Sequence, residues 1–224
     1  MYKAASYILN TLIVLFFLCA HVKAQRIFPI TAIKKITVSD GLSGANVTKI
    51  VQDKYGFFWF ATQDGLSKFD GRKITVYKKS NSRDHQILGN DIKGIAEDRE
   101  NDKIWLISAY GGINAIDLKT GTVSNTVTFQ VSDTGVKNLG FRKLVLNNGV
   151  LWMGSYNEFI LYDIRSNVLK KTETPVIPGA ARPANLCIDY IHIDKYENAW
   201  IFIRDYGIAV YSCRSLKQIG SFQI

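Results

Sequence analysis

Apolar and polar residues alternate in short runs along the chain, and the runs recur at a near-constant interval. Residues 47–53 alternate in this way, and a turn containing glycine leads to a nearly continuous apolar run at 57–62. Two more short runs follow at 65–70 and 74–79, again separated by turn-forming Gly and Asp residues. Runs of this length and period, bounded by such turns, predict β-strands. This stretch therefore predicts four short strands in succession.

The four-strand unit occurs four times. Its second strand carries a tryptophan each time, and the four tryptophans of the chain are separated by 46, 47 and 48 residues: Trp59, Trp105, Trp152 and Trp200. Four antiparallel strands in about 40–50 residues are typical of a β-propeller blade. We predict an all-β fold, a β-propeller with about four four-stranded blades belonging to a larger ring. The predicted blades are residues 47–80, 91–129, 141–174 and 186–222.

The first unit resembles the two-component regulator propeller repeat. The resemblance is carried by Ile36–Ser43, Asn46–Asp53, Gly56–Thr62 and Asp64–Gly71. It extends over residues 33–224: the second unit matches well, whereas the third and fourth are looser after their tryptophans. The resemblance implies the periplasmic sensor of a bacterial hybrid two-component regulator, many of which respond to polysaccharide breakdown products.

Further expectations follow from this resemblance alone. In full-length members the propeller is linked through a membrane helix to a histidine kinase and a DNA-binding output, and the protein works as a homodimer in a phosphorelay. Residues 1–224 contain neither the kinase nor the output region. The resemblance thus implies no enzyme activity for this chain, and a membrane connection only through a downstream segment.

The first 24 residues have the features of a secretory signal peptide. Lys3 gives a positive start, Tyr7–Ala20 is apolar, and Val22-Lys-Ala24 is a small-residue cleavage site. We predict export to the periplasm, with an uncleaved signal anchor as the alternative.

A lead, residues 25–46, precedes the first blade. Within it, Ile33–Val38 predicts a strand that belongs to none of the four units and could close a ring. Because the fourth unit already has its own fourth strand, we expect the chain to be a fragment of a larger ring. The alternative is a four-bladed ring with the spare strand on an edge.

Charge and cysteine content add little to this picture. The formal net charge is +9, but the basic residues are scattered, so we interpret them as solvated strand edges and predict no direct nucleic-acid contact. Cys187 and Cys213 are predicted on the first and third strands of one blade, about 9–10 Å apart. That separation is too large for a disulfide, so both thiols should be free.

One end of the predicted propeller carries the candidate binding residues. In an antiparallel meander, the turns between second and third strands share a face with the connections between blades. Aromatic and polar residues on that face suit the apolar side and hydroxyl rim of a sugar, so we predict an oligosaccharide site; the alternative is that such residues simply populate turns. The candidates are Tyr110, Tyr156, Asn157, Arg204, Asp205 and Tyr206.

Other residues favour structural roles. The tryptophans should pack between sheets, and Asp53 and Asp194 should cap turns rather than bind metal. His21, His85 and His192 show no catalytic or metal-ligand spacing, and no nucleophile or phosphate-binding motif occurs. We therefore predict no catalytic residue, cofactor or metal. The alternatives are a secreted protein-interaction module and, with less support, a propeller glycosidase or lyase.

Overall fold

A computed structural model describes residues 34–79, 86–109, 112–127, 140–155, 159–171, 175–181, 183 and 186–223. The predicted signal peptide lies outside the described residues.

The described chain forms four separate antiparallel sheets, each with four strands in sequence order. Blade one contains β1 (Val47–Gln52), β2 (Phe58–Thr62), β3 (Gly65–Phe69) and β4 (Ile74–Tyr77). Blade two contains β5 (Ile92–Asp98), β6 (Lys103–Ser108), β7 (Gly112–Asp117) and β8 (Val123–Val127). Blade three contains β9 (Lys143–Asn147), β10 (Val150–Gly154), β11 (Phe159–Asp163) and β12 (Val168–Lys171). Blade four contains β13 (Ile188–Ile193), β14 (Asn198–Ile203), β15 (Gly207–Ser212) and β16 (Gln218–Phe222). The prediction of four-stranded propeller blades is confirmed.

The first strands of consecutive blades lie side by side, in the order β1, β5, β9, β13. They are the inner strands around which the blades are arranged. Glycines permit the close approach of one blade to the next: a Cβ on Gly94 would lie 2.6 Å from the Leu144 Cβ, and one on Gly154 would lie 2.7 Å from the Ile188 Cγ2. Both contacts are shorter than a side chain tolerates. The approach of β5 to β9 therefore depends on Gly94, and that of β10 to β13 depends on Gly154.

Hydrophobic layers between blades hold the arc together. The side chains of Trp59, Trp105 and Trp152 are 0%, 2% and 0% exposed, and each packs in a cluster with residues of the following blade. The nearly continuous apolar second strands are explained by this burial on both faces. Trp200 differs because it is only partly buried and stacks on Phe222 with an interplanar angle of 8°.

The turn between the first and second strands ties the tryptophan to an aspartate. Asp53 accepts hydrogen bonds from the Tyr55 and Phe57 amides and, at 2.7 Å, from the Trp59 indole nitrogen. Asp194 does the same in blade four, where its partners are Tyr196, Asn198 and Trp200. The predicted turn-capping role of Asp53 and Asp194 is thus confirmed, with the indole contact as an addition.

Blade two has the same hydrogen bond between the turn aspartate and the tryptophan indole, whereas blade three differs. Asp98 accepts from Trp105 Nε1 at 3.2 Å. In the strand register of blade three, Asn147 takes the place of the aspartate. The Trp152 indole nitrogen is buried and has no hydrogen-bond partner among the described residues.

The expected strand at Ile33–Val38 does not form in the described part of that segment. Residues 34–37 have no regular structure, and a 3₁₀ helix follows at Val38–Asp40. Thr37 and Asp40 bond to one another at its start, and Gly41 ends it with φ 101°. A strand is stabilised by pairing with another strand, and this local capping takes the place of such pairing.

Both described cysteines, Cys187 and Cys213, are free, as predicted. Burial raises the pKa of the Cys213 thiol to about 11, so it is a packed thiol rather than a reactive one.

Candidate functional site

The turns between second and third strands lie on the same face as the connections between blades. In blade one, the Gly65 amide donates to the Asn90 carbonyl at 2.8 Å, which joins the β2–β3 turn to the connection entering blade two. In blade four, the Arg204 amide donates to the Cys187 carbonyl at 2.9 Å. We call this side of the propeller the loop face. The antiparallel order of the strands predicted correctly that these turns and connections share one face.

The structure brings three of the six candidate residues together, in the β14–β15 turn of blade four. Arg204 and Asp205 are exposed, and Asp205 has a left-handed backbone with φ 53°. Tyr206 is 5% exposed, and its hydroxyl accepts a hydrogen bond from the Ile177 amide at 3.2 Å. Tyr206 therefore supports the turn from beneath, while Arg204 and Asp205 present polar groups to solvent. Tyr110, Tyr156 and Asn157 lie outside the described residues.

A pocket of about 530 Å³ opens beside this turn. We call it the blade-four pocket; it is lined by Asp189, Tyr190 and residues 202–207. The Tyr190 ring is 55% exposed and meets the Phe202 ring edge-on, with centroids 6.0 Å apart. The pocket thus combines an exposed aromatic surface with charged hydrogen-bonding groups.

An ion pair fixes the polar side of the pocket. Arg204 Nε donates to Asp189 Oδ2 at 2.9 Å, and Arg204 Nη2 donates to Asp189 Oδ1 at 2.8 Å. Hydrogen bonding to Arg204 lowers the pKa of Asp189, and the same contact raises the pKa of Arg204. Such a bidentate pair holds the guanidinium plane in one orientation. The donors of Arg204 that remain and the Asp205 carboxylate, which has no partner among the described residues, are available to a ligand.

Sequence reasoning missed Asp189, Tyr190 and Phe202. Asp189 is an extra residue where the register between β13 and β14 shifts, and this bulge lies between Ile188 and Tyr190. Bulges redirect side chains at strand ends. A signal was available in the alternation of β13, where Tyr190 and His192 fall on one face of the strand, but the sequence does not say whether another blade covers that face.

Other kinds of site find no support in the described part of the chain. No group of three or more His, Cys, Asp or Glu residues that could hold a metal ion occurs among those residues. Among the same residues, no helix has the length and apolar character needed to span a membrane.

A family match bears directly on blade one. The model of the family described as two component regulator propeller matches residues 41–64, which run from the glycine after the 3₁₀ helix through β1 and β2. Residues 41–64 are thus similar to the two component regulator propeller repeat. The matched segment includes both Asp53 and Trp59, so the tie between turn and indole belongs to the recognised repeat. The resemblance inferred from the sequence is confirmed.

A protein of Formosa agariphila is similar to part of this chain. The protein, named histidine kinase P4, is 47% identical over 47 residues, which are 21% of this chain and 3% of the kinase. The chain therefore spans a very small share of this relative's length.

Solved structures with the same fold include an extracellular domain and a β-propeller domain. The extracellular domain of a protein described as a hybrid two component system of B. thetaiotaomicron matches with a TM-score of 0.65 and 24% identity, over 84% of this chain and 26% of that one. The β-propeller domain of Cps50 (Swd1) from Myceliophteria thermophila matches with a TM-score of 0.58 and 12% identity, over 82% of this chain and 57% of that one. At these identities the similarity establishes a shared propeller fold.

Proposed function

We propose that this chain is the ligand-sensing propeller of a hybrid two-component sensor regulator, exported to the periplasm. The observation that carries the proposal is the regulator propeller repeat at residues 41–64. The sequence identity of 47% over 47 residues with a protein named histidine kinase P4 supports this proposal. In this role the chain itself is not catalytic, and kinase and DNA-binding functions belong to other segments of a longer protein. Its signal would come from ligand affinity that differs between two arrangements of a homodimer.

The ligand we propose is an oligosaccharide bound at the blade-four pocket. The exposed Tyr190 ring offers an apolar surface to the carbon face of a pyranose, and Arg204 and Asp205 offer a donor and an acceptor to its hydroxyl groups. Mostly apolar pockets with a few placed polar groups are the usual form of small-ligand sites.

Calorimetric titration of the full chain with neutral and acidic oligosaccharides tests this proposal. Arg204→Ala should weaken binding by roughly 10-fold, the effect of about 1.4 kcal/mol for a lost charged hydrogen bond. Arg214→Ala is the matched control, because Arg214 also pairs with a carboxylate, that of Glu197 at 2.9 Å, but outside the pocket. Equal oligosaccharide affinity of Arg204→Ala and Arg214→Ala would show that the ligand does not bind at the blade-four pocket.

A second candidate, a protein-interaction module, is favoured by a different observation. Large apolar side chains are exposed on the outer face of blade one, Ile50 and Phe58, and on blade four, Tyr190 and Phe222. Apolar patches of this kind mark contact surfaces. Binding of a protein partner that survives Arg204→Ala and is lost on Phe222→Ser would favour this candidate.

A further inference from the structure

Two lysines occupy equivalent positions on inner strands of different blades. Lys49 pairs with Ala61 in blade one, and Lys143 pairs with Gly154 in blade three; each partner lies two residues after the tryptophan of its blade. The equivalent position in blade two is Gly94, which pairs with Ile107. Blade two therefore has no side chain at the position where its neighbours have a lysine.

Lys49 reaches past blade two to blade three. Its Nζ lies 3.4 Å from the Leu144 carbonyl oxygen in blade three. Burial, together with the charge of Lys143, lowers the pKa of the Lys49 amine. Two ammonium groups from blades one and three are therefore close enough to repel each other.

Neutralising carboxylates are lacking at this pair of lysines. Among the described residues, neither Lys49 nor Lys143 forms an ion pair, whereas the neighbouring Lys93 pairs with Asp91 at 2.9 Å. Asp194 lines the same space, where its carboxylate accepts a hydrogen bond from the neutral Trp200 indole and keeps its negative charge. Three lysines thus face one carboxylate in this lining, and its net charge is positive.

A cavity adjoins these groups. It measures about 640 Å³, and its lining includes Lys49, Lys93, Gly94, Lys143, His192 and Asp194. A smaller cavity of about 240 Å³, lined in part by Lys93, Arg142 and Lys143, lies towards the loop face. Low-dielectric walls strengthen the field of charges placed in such a space.

We propose that the inner strands of blades one to three form an oxyanion-binding site, in which Lys49 and Lys143 together bind a carboxylate, sulfate or phosphate group. An oxyanion between the two ammonium groups replaces their repulsion with two charge-assisted hydrogen bonds. Lys93 borders the site and adds to its field. The group belongs either to an acidic oligosaccharide or to a free inorganic anion. The first case rests on the proposed function and names the class of sugar; the second does not depend on it.

Titration calorimetry of the full chain at low salt tests the site with three probes: sodium sulfate, a trigalacturonate and a neutral trisaccharide. The double variant Lys49→Met/Lys143→Met should bind sulfate or trigalacturonate at least ~10-fold more weakly. The control is Lys73→Met/Lys217→Met, which removes the same charge from two exposed lysines outside the cavity. The control should bind as the unmodified chain does. Equal loss in both double variants would mean a general charge effect and overturn the proposal.

Amine labelling provides a readout that does not depend on the folding of a variant. At limiting acetic anhydride, the low-pKa amine of Lys49 should be acetylated faster than that of Lys73. Bound oxyanion should raise the Lys49 pKa and slow its acetylation several-fold, with Lys73 unchanged, because an adjacent negative charge favours the ammonium form. Labelling of Lys49 that is insensitive to saturating sulfate and trigalacturonate would contradict the site.

The pattern of binding separates this inference from the proposed function. Sulfate binding that needs both lysines, without binding of either sugar, supports a free-anion site and removes support from oligosaccharide sensing. Trigalacturonate binding that needs both lysines supports both proposals. Binding of the neutral trisaccharide that is lost on Arg204→Ala but unchanged in Lys49→Met/Lys143→Met, without sulfate binding, supports the proposed function and overturns the oxyanion site.

Discussion

At the scale of single residues, three of the four tryptophans are held by a hydrogen bond to an aspartate as well as by packing. Three aspartates, Asp53, Asp98 and Asp194, accept from the indole of their own blade, whereas Trp152 has no such partner. A hydrogen bond to a charged group contributes about 1.5–3 kcal/mol, and an unpaired buried donor costs a comparable amount. Blades one and three should therefore differ in stability at otherwise equivalent tryptophans, Trp59 and Trp152.

Trp59 and Trp152 form a matched pair for measuring this bond, because both side chains are fully buried. Trp59→Phe removes the hydrogen bond from the indole to Asp53, so the Asp53 carboxylate loses one donor. Trp152→Phe removes an indole donor that has no partner among the described residues. Both variants lose similar volume. Trp59→Phe should lower the free energy of unfolding by about 1–2 kcal/mol more than Trp152→Phe, measured by urea unfolding followed by circular dichroism. Equal losses would show that the indole contact contributes nothing net.

The lowered pKa of Asp194 predicts that the free energy of unfolding falls at acidic pH. The Trp200 indole and then the Asn198 amide lower the pKa of Asp194 from 3.8 to about 2. Because the folded pKa is the lower one, ionised Asp194 stabilises the fold above pH 3.8, and this contribution is lost as the pH falls towards 2. In Asp194→Asn, urea unfolding between pH 5 and about 2.5 should depend less on pH than in the unmodified chain.

Asp205→Asn is the control for this titration. It removes one carboxylate from an exposed turn of the same blade, and Asn tolerates the left-handed backbone found there. A pH dependence reduced equally by both substitutions would assign the effect to net charge rather than to the bond with Trp200.

At the scale of elements, the spacing of the inner strands β5 and β9 depends on Gly94, a glycine that no turn requires. Gly94→Ala would place a Cβ 2.6 Å from that of Leu144, so β5 and β9 must move apart, at a cost of about 1–3 kcal/mol in the free energy of unfolding. Gly220→Ala is the control in β16, where the nearest atom is 3.9 Å from the new Cβ. Urea unfolding should show a clear loss for Gly94→Ala and little change for Gly220→Ala. Similar behaviour of the two variants would contradict the close approach.

The positions of the strands could be predicted from the sequence, but the contacts between distant segments could not. Alternation and turn residues located the strands of each blade, because side-chain period and turn chemistry are local properties. The strand expected at Ile33–Val38 is not formed by its described residues. Its alternating pattern does not show whether another strand is available to pair with it. Asp189 was missed because its position depends on a bulge between β13 and β14. The contact of Lys49 with Leu144 was missed because it joins two residues that lie 95 positions apart in the sequence.

At the scale of the whole molecule, stacking leaves the two outermost sheets different from the inner layers. The tryptophans of blades one to three are covered by the following blade, while within the described residues Trp200 is covered chiefly by Phe222, which is itself 53% exposed. On the outer face of blade one, Ile50 is 55% exposed. A repeat that buries its apolar face only against a neighbour leaves such faces at both ends of an arc.

These end faces predict self-association of the isolated chain, because exposed apolar sheet faces gain free energy by covering one another. Sedimentation velocity over a range of concentrations should show the unmodified chain forming dimers or larger species. Ile50→Ser/Phe222→Ser should shift the chain towards monomer without lowering its free energy of unfolding by more than about 1 kcal/mol, since both side chains are more than half exposed. Tyr196→Ser is the control: Tyr196 is 71% exposed, but in the β13–β14 turn rather than on an end face. If the unmodified chain stays monomeric at every concentration, the exposed end faces do not drive association and this prediction is wrong.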